Sequence, residues 1–264
     1  MRFIRLCCLA LLAALSFTAQ AKMVHRPVEW TLDGTHFKSV LVYDDASSAK
    51  RPGLVMVPNW YGITDTAVKK ADMIAGKNYV ILLTDMYGEN VRPAPGNADQ
   101  AKAATKPLYA DRTLMRKRIN EALTQLKAQA GTAPIDLTKL AAIGFCFGGT
   151  TVLDLARSGA DVAAVVSFHG GLTTDNPALA KNIKARVLAM NGADDKGTMP
   201  DADKFMDEMR GGSADWEFLV IGNAVHCFTE TEENSPGCKY DPRAAARSYR
   251  LMHDWLNAAF SGAP

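Results

Sequence analysis

The chain has 264 residues, of which 48% are hydrophobic and 22% charged, with a formal net charge of +2. That length is enough to bury one large core, and the balance is that of a globular protein rather than a disordered or fibrous one. A nearly neutral chain with no basic cluster offers no electrostatic footprint for nucleic acid or for an anionic membrane, so neither is expected as a partner.

Arg2 and Arg5 precede an uncharged, mostly apolar run over residues 6–17, and Ala19-Gln20-Ala21 supplies the small-x-small pattern that signal peptidase cuts. About a dozen apolar residues fall short of the roughly 20 needed to span a bilayer. Residues 1–21 are therefore expected to be a cleaved signal peptide and the exported product, periplasmic or secreted, to begin at Lys22. Loss of Arg2 and Arg5 makes the basic and acidic side chains equal in number, and no membrane association is expected afterwards. Residues 22–264 contain no Pro/Gly/Ser-rich linker and no internal repeat, so one domain is expected. The sequence leaves open whether it is a monomer or a dimer.

Residues 28–32 and 37–43, joined through Asp33-Gly34, read as an antiparallel hairpin. The wholly apolar run at 53–58 has the pattern of a strand buried on both faces. A helix is expected over 65–75 and a strand over 79–84. Residues 97–129 are helix-forming, and a break could fall near Lys106-Pro107. A strand at 141–145 and a helix at 150–158 follow, then strands at 162–168 and 185–190. A helix at 201–210 is stopped by Gly211-Gly212. The last strand is expected at 216–221 and the closing helix at 242–260. Strands alternating with helices predict an α/β fold, a mostly parallel sheet covered on both faces, with functional residues just beyond the carboxyl ends of the strands.

Gly144-Phe145-Cys146-Phe147-Gly148 has the G-x-S-x-G spacing of a nucleophile elbow, with cysteine in the serine position. The sharp strand-to-helix turn needs small residues two before and two after the nucleophile, or their side chains would collide. A helix starting there points its positive end at the thiol, which favours the reactive thiolate. The Phe147 amide would donate to a developing oxyanion.

A cysteine hydrolase needs a histidine to move protons and a carboxylate to orient it, in the chain order nucleophile, acid, base. His25, His36 and His253 follow no central strand, and His169 precedes every suitable acid. His169 is therefore expected as a structural polar residue at the sheet edge, and His226 as the base. The acid should come from the loop after the strand at 185–190, where spacing leaves Asp194 and Asp195 nearly even. Cys227 and Cys238 flank a short polar loop: either they close a local disulfide and leave Cys146 as the odd thiol, or all three stay reduced.

Taken together, VMVPNWYG (55–62), DMYG (85–88), GFCFGG (144–149), NGADD (191–195) and AVHCFTE (224–230) resemble the dienelactone hydrolase family, over almost the whole chain after residue 21. The resemblance implies an α/β-hydrolase fold and no metal or organic cofactor. It also implies a Cys-Asp-His triad of Cys146, Asp195 and His226, acting on a small-molecule ester or lactone. It places a second oxyanion donor on the Trp60 amide. The expected pocket comprises Asn59, Tyr61, Tyr87, Arg92 and Phe145. Two departures stand out. The family's glutamate near the resting thiol is replaced by Asn59, which cannot accept a proton, and its substrate-carboxylate arginine aligns poorly, with Arg92 nearest. A general ester or lactone is therefore expected over a true dienelactone.

Overall fold

The computed structural model describes residues 22–263; the expected signal segment lies outside the described residues. The chain opens with β1 (Met23–Leu32) and β2 (Thr35–Asp44), which pair antiparallel along their full length. Asp33 (φ 49°) and Gly34 (φ 76°) supply the two left-handed positions that a two-residue hairpin turn needs. The strands then run β3 (Arg51–Val57), β4 (Val80–Leu83), β5 (Ile135–Phe145), β6 (Ala164–Phe168), β7 (Arg186–Gly192) and β8 (Trp216–Ile221). Their order across the sheet is β1-β2-β4-β3-β5-β6-β7-β8, with β4 through β8 parallel and the amino-terminal hairpin antiparallel.

Strand alternation divides the core. Val55, Val57, Ala142 and Val165 face one layer, packed by α2 (Ala98–Ala110), α3 (Arg112–Ala128), α4 (Phe147–Arg157) and α5 (Ala202–Arg210). Leu54, Met56, Ile143 and Val166 face the other, packed by α1 (Asp65–Ala75) and α6 (Pro242–Ser261). This is the expected mostly parallel sheet with helices on both faces. Among the described residues, no helix is long and apolar enough to cross a membrane.

Three expectations need correction. The break in the 97–129 stretch falls at Asp111, and Pro107 lies inside α2. Asp111 leaves the helical region (φ −124°, ψ 90°) and accepts a hydrogen bond from the Leu114 amide, which caps α3. Pro107 lies in the last turn of α2, where its missing N–H leaves the Ala103 carbonyl without an i+4 donor and the helix ends three residues later. Second, α4 begins at Phe147 rather than near residue 150, so Cys146 itself is its N-cap residue. Third, His169 is not at a sheet edge: it follows β6, between β5 and β7, and is fully buried.

The turn between β5 and α4 is the tightest place in the fold. A Cβ on Gly144 would lie 2.1 Å from the Gly148 carbonyl oxygen, and one on Gly148 would lie 2.1 Å from the Val57 carbonyl oxygen. Backbone, not a flexible side chain, occupies the space, so neither site can yield without moving a strand. Overpacking of this kind costs ~1–3 kcal/mol or more. Gly148→Ala is expected to lower the melting temperature by roughly 5–10 °C, at about 2–4 °C per kcal/mol for a chain of this size. Gly131→Ala, with nothing within 4 Å of the added carbon, should leave it nearly unchanged; equal shifts in calorimetry for the two variants would refute the steric account.

Candidate active site

The carboxyl ends of the parallel strands bring together residues far apart in sequence. Cys146 follows β5, Asp195 follows β7, His226 follows β8, and the Asn59–Gly62 turn follows β3. Cys146 adopts φ 54° and ψ −116°, a strained conformation for a residue with a side chain. The turn lifts the thiol into a cleft of about 720 Å³, lined among others by Tyr109, Thr198, Val225, His226 and Pro236. Phe147 is the first residue of α4, so its N–H is one of the donors a helix start leaves without an internal partner.

His226 Nε2 lies 3.1 Å from the Cys146 sulfur, and Nδ1 lies 2.7 Å from Asp195 Oδ2. Asp195, only 3% exposed, also accepts from the Thr198 hydroxyl (2.7 Å) and the Gly197 amide (2.9 Å). Burial alone would push this carboxyl up, but the bonds from His226, Thr198 and Gly197 hold it below its ordinary value. Asp194 is exposed and makes no contact of this kind with His226; of the two aspartates it is Asp195 that bonds the imidazole. Burial works against a charged His226, yet its interactions with Cys146 and Asp195 outweigh it and raise the imidazole to about 10. The arrangement can store a thiolate-imidazolium pair, deliver a proton to a leaving group, and later take one from water.

The loop carrying His226 is tied down covalently. Cys227 and Cys238 form a disulfide, and among the described residues Cys146 is the free thiol. The His226 carbonyl accepts from the Lys239 amide at 2.9 Å, so the loop through Pro236 and Gly237 closes over the cleft as one wall.

The expected pocket residues are placed differently. Phe145 is fully buried on the α1/α6 side, stacked on Phe168 at 4.6 Å, because strand alternation turns it away from the cleft. Arg92 donates to Asp85 Oδ2 (2.7 Å) and to the Gly88 carbonyl (2.5 Å). It lines a separate groove of about 490 Å³ with Tyr87 and Arg118. The buried carboxylate of Asp85, anchored at the end of β4, holds that guanidinium away from Cys146. Tyr87 is buried and donates its hydroxyl to the Trp60 carbonyl at 3.0 Å, with its ring 5.5 Å from that of Phe147. Tyr61 is buried as well, and Asn59 donates to Glu230 behind the site. None of these five is among the residues lining the cleft at Cys146, and Tyr87 and Arg92 line the separate groove instead. Trp60 lies in a shallow groove adjoining Tyr109.

Several functional neighbours escaped sequence reasoning. Tyr109, on the last turn of α2 and packed edge-on against Phe147 at 5.8 Å, forms a cleft wall without any motif to mark it. Thr198 is a third partner for Asp195 and accepts in turn from Asn191 (2.7 Å). Lys70 and Glu230 form a buried ion pair, and only Glu230 lay within a recognisable motif.

Because the folded His226 pKa is raised above the ordinary 6.5 of an unfolded chain, its charged form adds stability that is complete below pH 6.5 and lost as pH rises to about 10. Wild type should therefore lose its stability advantage over His226→Asn across that window in denaturant titrations. An advantage that stays constant with pH would contradict the charged pair.

A family model described as "Dienelactone hydrolase family" matches residues 37–260 of this chain. A crystal structure described as a dienelactone hydrolase-like promiscuous phosphotriesterase from metagenomic libraries is 36% identical. That match covers 90% of this chain and 98% of the other, with a TM-score of 0.83. A probable 2-oxo-3-(5-oxofuran-2-ylidene)propanoate lactonase of Bradyrhizobium sp. is 27% identical over 217 residues, 77% of this chain and 84% of the relative. An uncharacterised protein of Caenorhabditis elegans is 34% identical over 158 residues, covering 56% of this chain and 95% of that one. The chain belongs to the dienelactone hydrolase family, within the α/β-hydrolase superfamily, and is a hydrolase of that kind.

Proposed function

We propose that this chain is an exported hydrolase of carboxylic esters or lactones that uses Cys146 as nucleophile, His226 as acid and base, and Asp195 as orienting acid. The observation that carries the reading is the unbroken row from the Cys146 sulfur through His226 to Asp195, set in an open cleft. The Cys146 thiolate attacks the acyl carbon, and the carbonyl electron pair moves onto oxygen, where the Phe147 and Trp60 amides stabilise it. As the intermediate collapses, the C–O bond to the leaving group breaks and His226 gives that oxygen its proton. The resulting thioester is hydrolysed by water, whose proton passes to His226; the acid leaves and the thiolate returns.

A thiolate is itself a good leaving group, so an intermediate with a poorer one, such as an amide nitrogen, reverts. Lactones, enol esters and aryl esters therefore fit better than amides. The 36% identical relative described as a promiscuous phosphotriesterase supports a second substrate class, since the same thiolate can attack phosphorus in an aryl phosphotriester. Export is supported by the leader pattern in residues 1–21 and by the disulfide beside His226, which an oxidising compartment would preserve.

The first test is hydrolysis of a short-chain aryl ester and a simple lactone by wild type, Cys146→Ala and Cys146→Ser. Activity should vanish in the alanine variant, and wild type caught mid-turnover should carry the acyl group on Cys146 by mass spectrometry. Full activity in Cys146→Ala rejects the nucleophile. Asp195→Asn is expected to lower kcat by at least about 100-fold, because the imidazole loses its oriented tautomer. A change of only a few-fold would remove Asp195 from the triad. Amino-terminal sequencing of the exported protein should begin at Lys22, and a product retaining Met1 would refute signal cleavage.

A further inference from the structure

Behind the cleft lies a buried polar cluster that takes no direct part in the chemistry above. Glu230 is 2% exposed and four residues beyond His226. Its Oε1 accepts from Lys70 Nζ (2.5 Å) and from the Thr229 hydroxyl (3.1 Å), and its Oε2 accepts from Asn59 Nδ2 (2.7 Å). The Asn59 side-chain oxygen accepts in turn from the Tyr61 amide at 3.0 Å, and the Asn59 carbonyl accepts from the Gly62 amide at 3.0 Å. Those two bonds flank Trp60. The Asn59 carbonyl and the Trp60 N–H share one planar peptide unit, so anchoring the carbonyl sets the direction of the N–H. On its other side, the Glu230 amide donates to the Cys227 carbonyl at 2.8 Å, closing the turn that follows His226.

We infer that Glu230 is a positioning residue: its carboxylate, bridging Lys70 and Asn59, holds the Trp60 amide in register with Cys146 for oxyanion stabilisation. The inference rests on the reading of Cys146 as nucleophile. One carboxylate joins the turn after β3 to the loop after β8, two segments that share no strand pairing. Its acceptor chemistry is the essential property. Lys70 and Asn59 Nδ2 both donate, so the group between them must accept in two directions, which a carboxylate does and an amide does not. A glutamine at 230 would turn its oxygen to the ammonium of Lys70 and its NH₂ group to the NH₂ of Asn59. Two donors then face each other, and Asn59 releases its hold on the turn.

This separates Glu230 from the thiol-imidazole pair. His169 lies between them, its Nε2 hydrogen-bonded to the Thr229 hydroxyl at 2.7 Å and its ring meeting that of His226 edge-on at 5.1 Å. No hydrogen bond of Glu230 reaches His226 or Cys146. Burial, together with the charges of His226 and Lys70, pushes His169 well below the ordinary histidine value, so it stays neutral and carries no charge between the two groups.

The test compares wild type, Glu230→Gln and Lys70→Met/Glu230→Gln in two reactions. Burst-phase acylation by an aryl ester needs an oxyanion site, whereas alkylation of Cys146 by iodoacetamide needs only the thiolate. In Glu230→Gln, acylation should fall at least about tenfold, a fraction of what losing an oxyanion donor costs, while alkylation is unchanged. In the double variant the ammonium is gone and the glutamine oxygen is free to accept from Asn59, so acylation should recover most of the loss. Unchanged acylation in Glu230→Gln, a parallel loss of both reactions, or no recovery in the double variant would each overturn the assignment. Full activity in Cys146→Ala is a separate outcome, which defeats the nucleophile reading and this inference with it.

Discussion

The structure depends on one strained turn. Cys146 sits at φ 54° between the last residue of β5 and the first of α4, with no linking loop. That geometry exists only because residues 144 and 148 lack side chains: a carbon on either would strike backbone oxygen. The strain is compensated by the packing of β5 between β6, which is fully buried, and β3, which is buried apart from Pro52. In return the turn places the thiol at the positive end of a helix and next to that helix's first free N–H, the two features on which the proposed roles of Cys146 and the Phe147 amide rest.

The partners of the thiol are supplied by loops, and each loop is fixed by a different device. Asp195 is held by hydrogen bonds from Thr198 and Gly197, within its own turn. The loop of His226 is closed by the Cys227–Cys238 disulfide and by the bond from Lys239 to the His226 carbonyl. Gly192, just before the acid, has no room for a side chain, since its Cβ would lie 2.3 Å from the Ala224 carbonyl oxygen. The acid loop and the base loop are therefore in backbone contact before their side chains meet. That packing explains how a 2.7 Å bond can be maintained between residues from separate strands.

Electrostatics divides the site into a charged front and a buried polar back. In front, the imidazole is raised by thiolate and carboxylate despite partial burial. Behind, the Lys70–Glu230 pair is almost fully enclosed, with side chains 8% and 3% exposed. Buried pairs of this kind add little stability because desolvation offsets the attraction, and specificity of geometry is their best-attested use. His169, pushed well below the ordinary histidine value by burial and by the charges of His226 and Lys70, lies between the two regions.

The fold, and the strand ends that carry Cys146, Asp195 and His226, were legible in sequence because their signals are local. The apolar runs of the central strands, the glycines around Cys146 and the Asp33-Gly34 turn each report a constraint on neighbouring backbone. The order of motifs along the chain then follows from the order of strands. Even so, spacing left Asp194 and Asp195 nearly even, since only position relative to His226 separates them. The pocket could not be read in this way. Phe145 is adjacent to Cys146 in sequence yet faces the opposite layer, because a strand alternates its side chains. Arg92 was taken by Asp85, and Tyr109 came from a helix whose sequence carries no functional mark. Whether Cys227 and Cys238 meet, and what Glu230 touches, are matters of distance between loops. The sheet and the residues at its strand ends follow from local patterns along the chain, whereas the side chains that face the cleft are selected by contacts between segments that share no local signal.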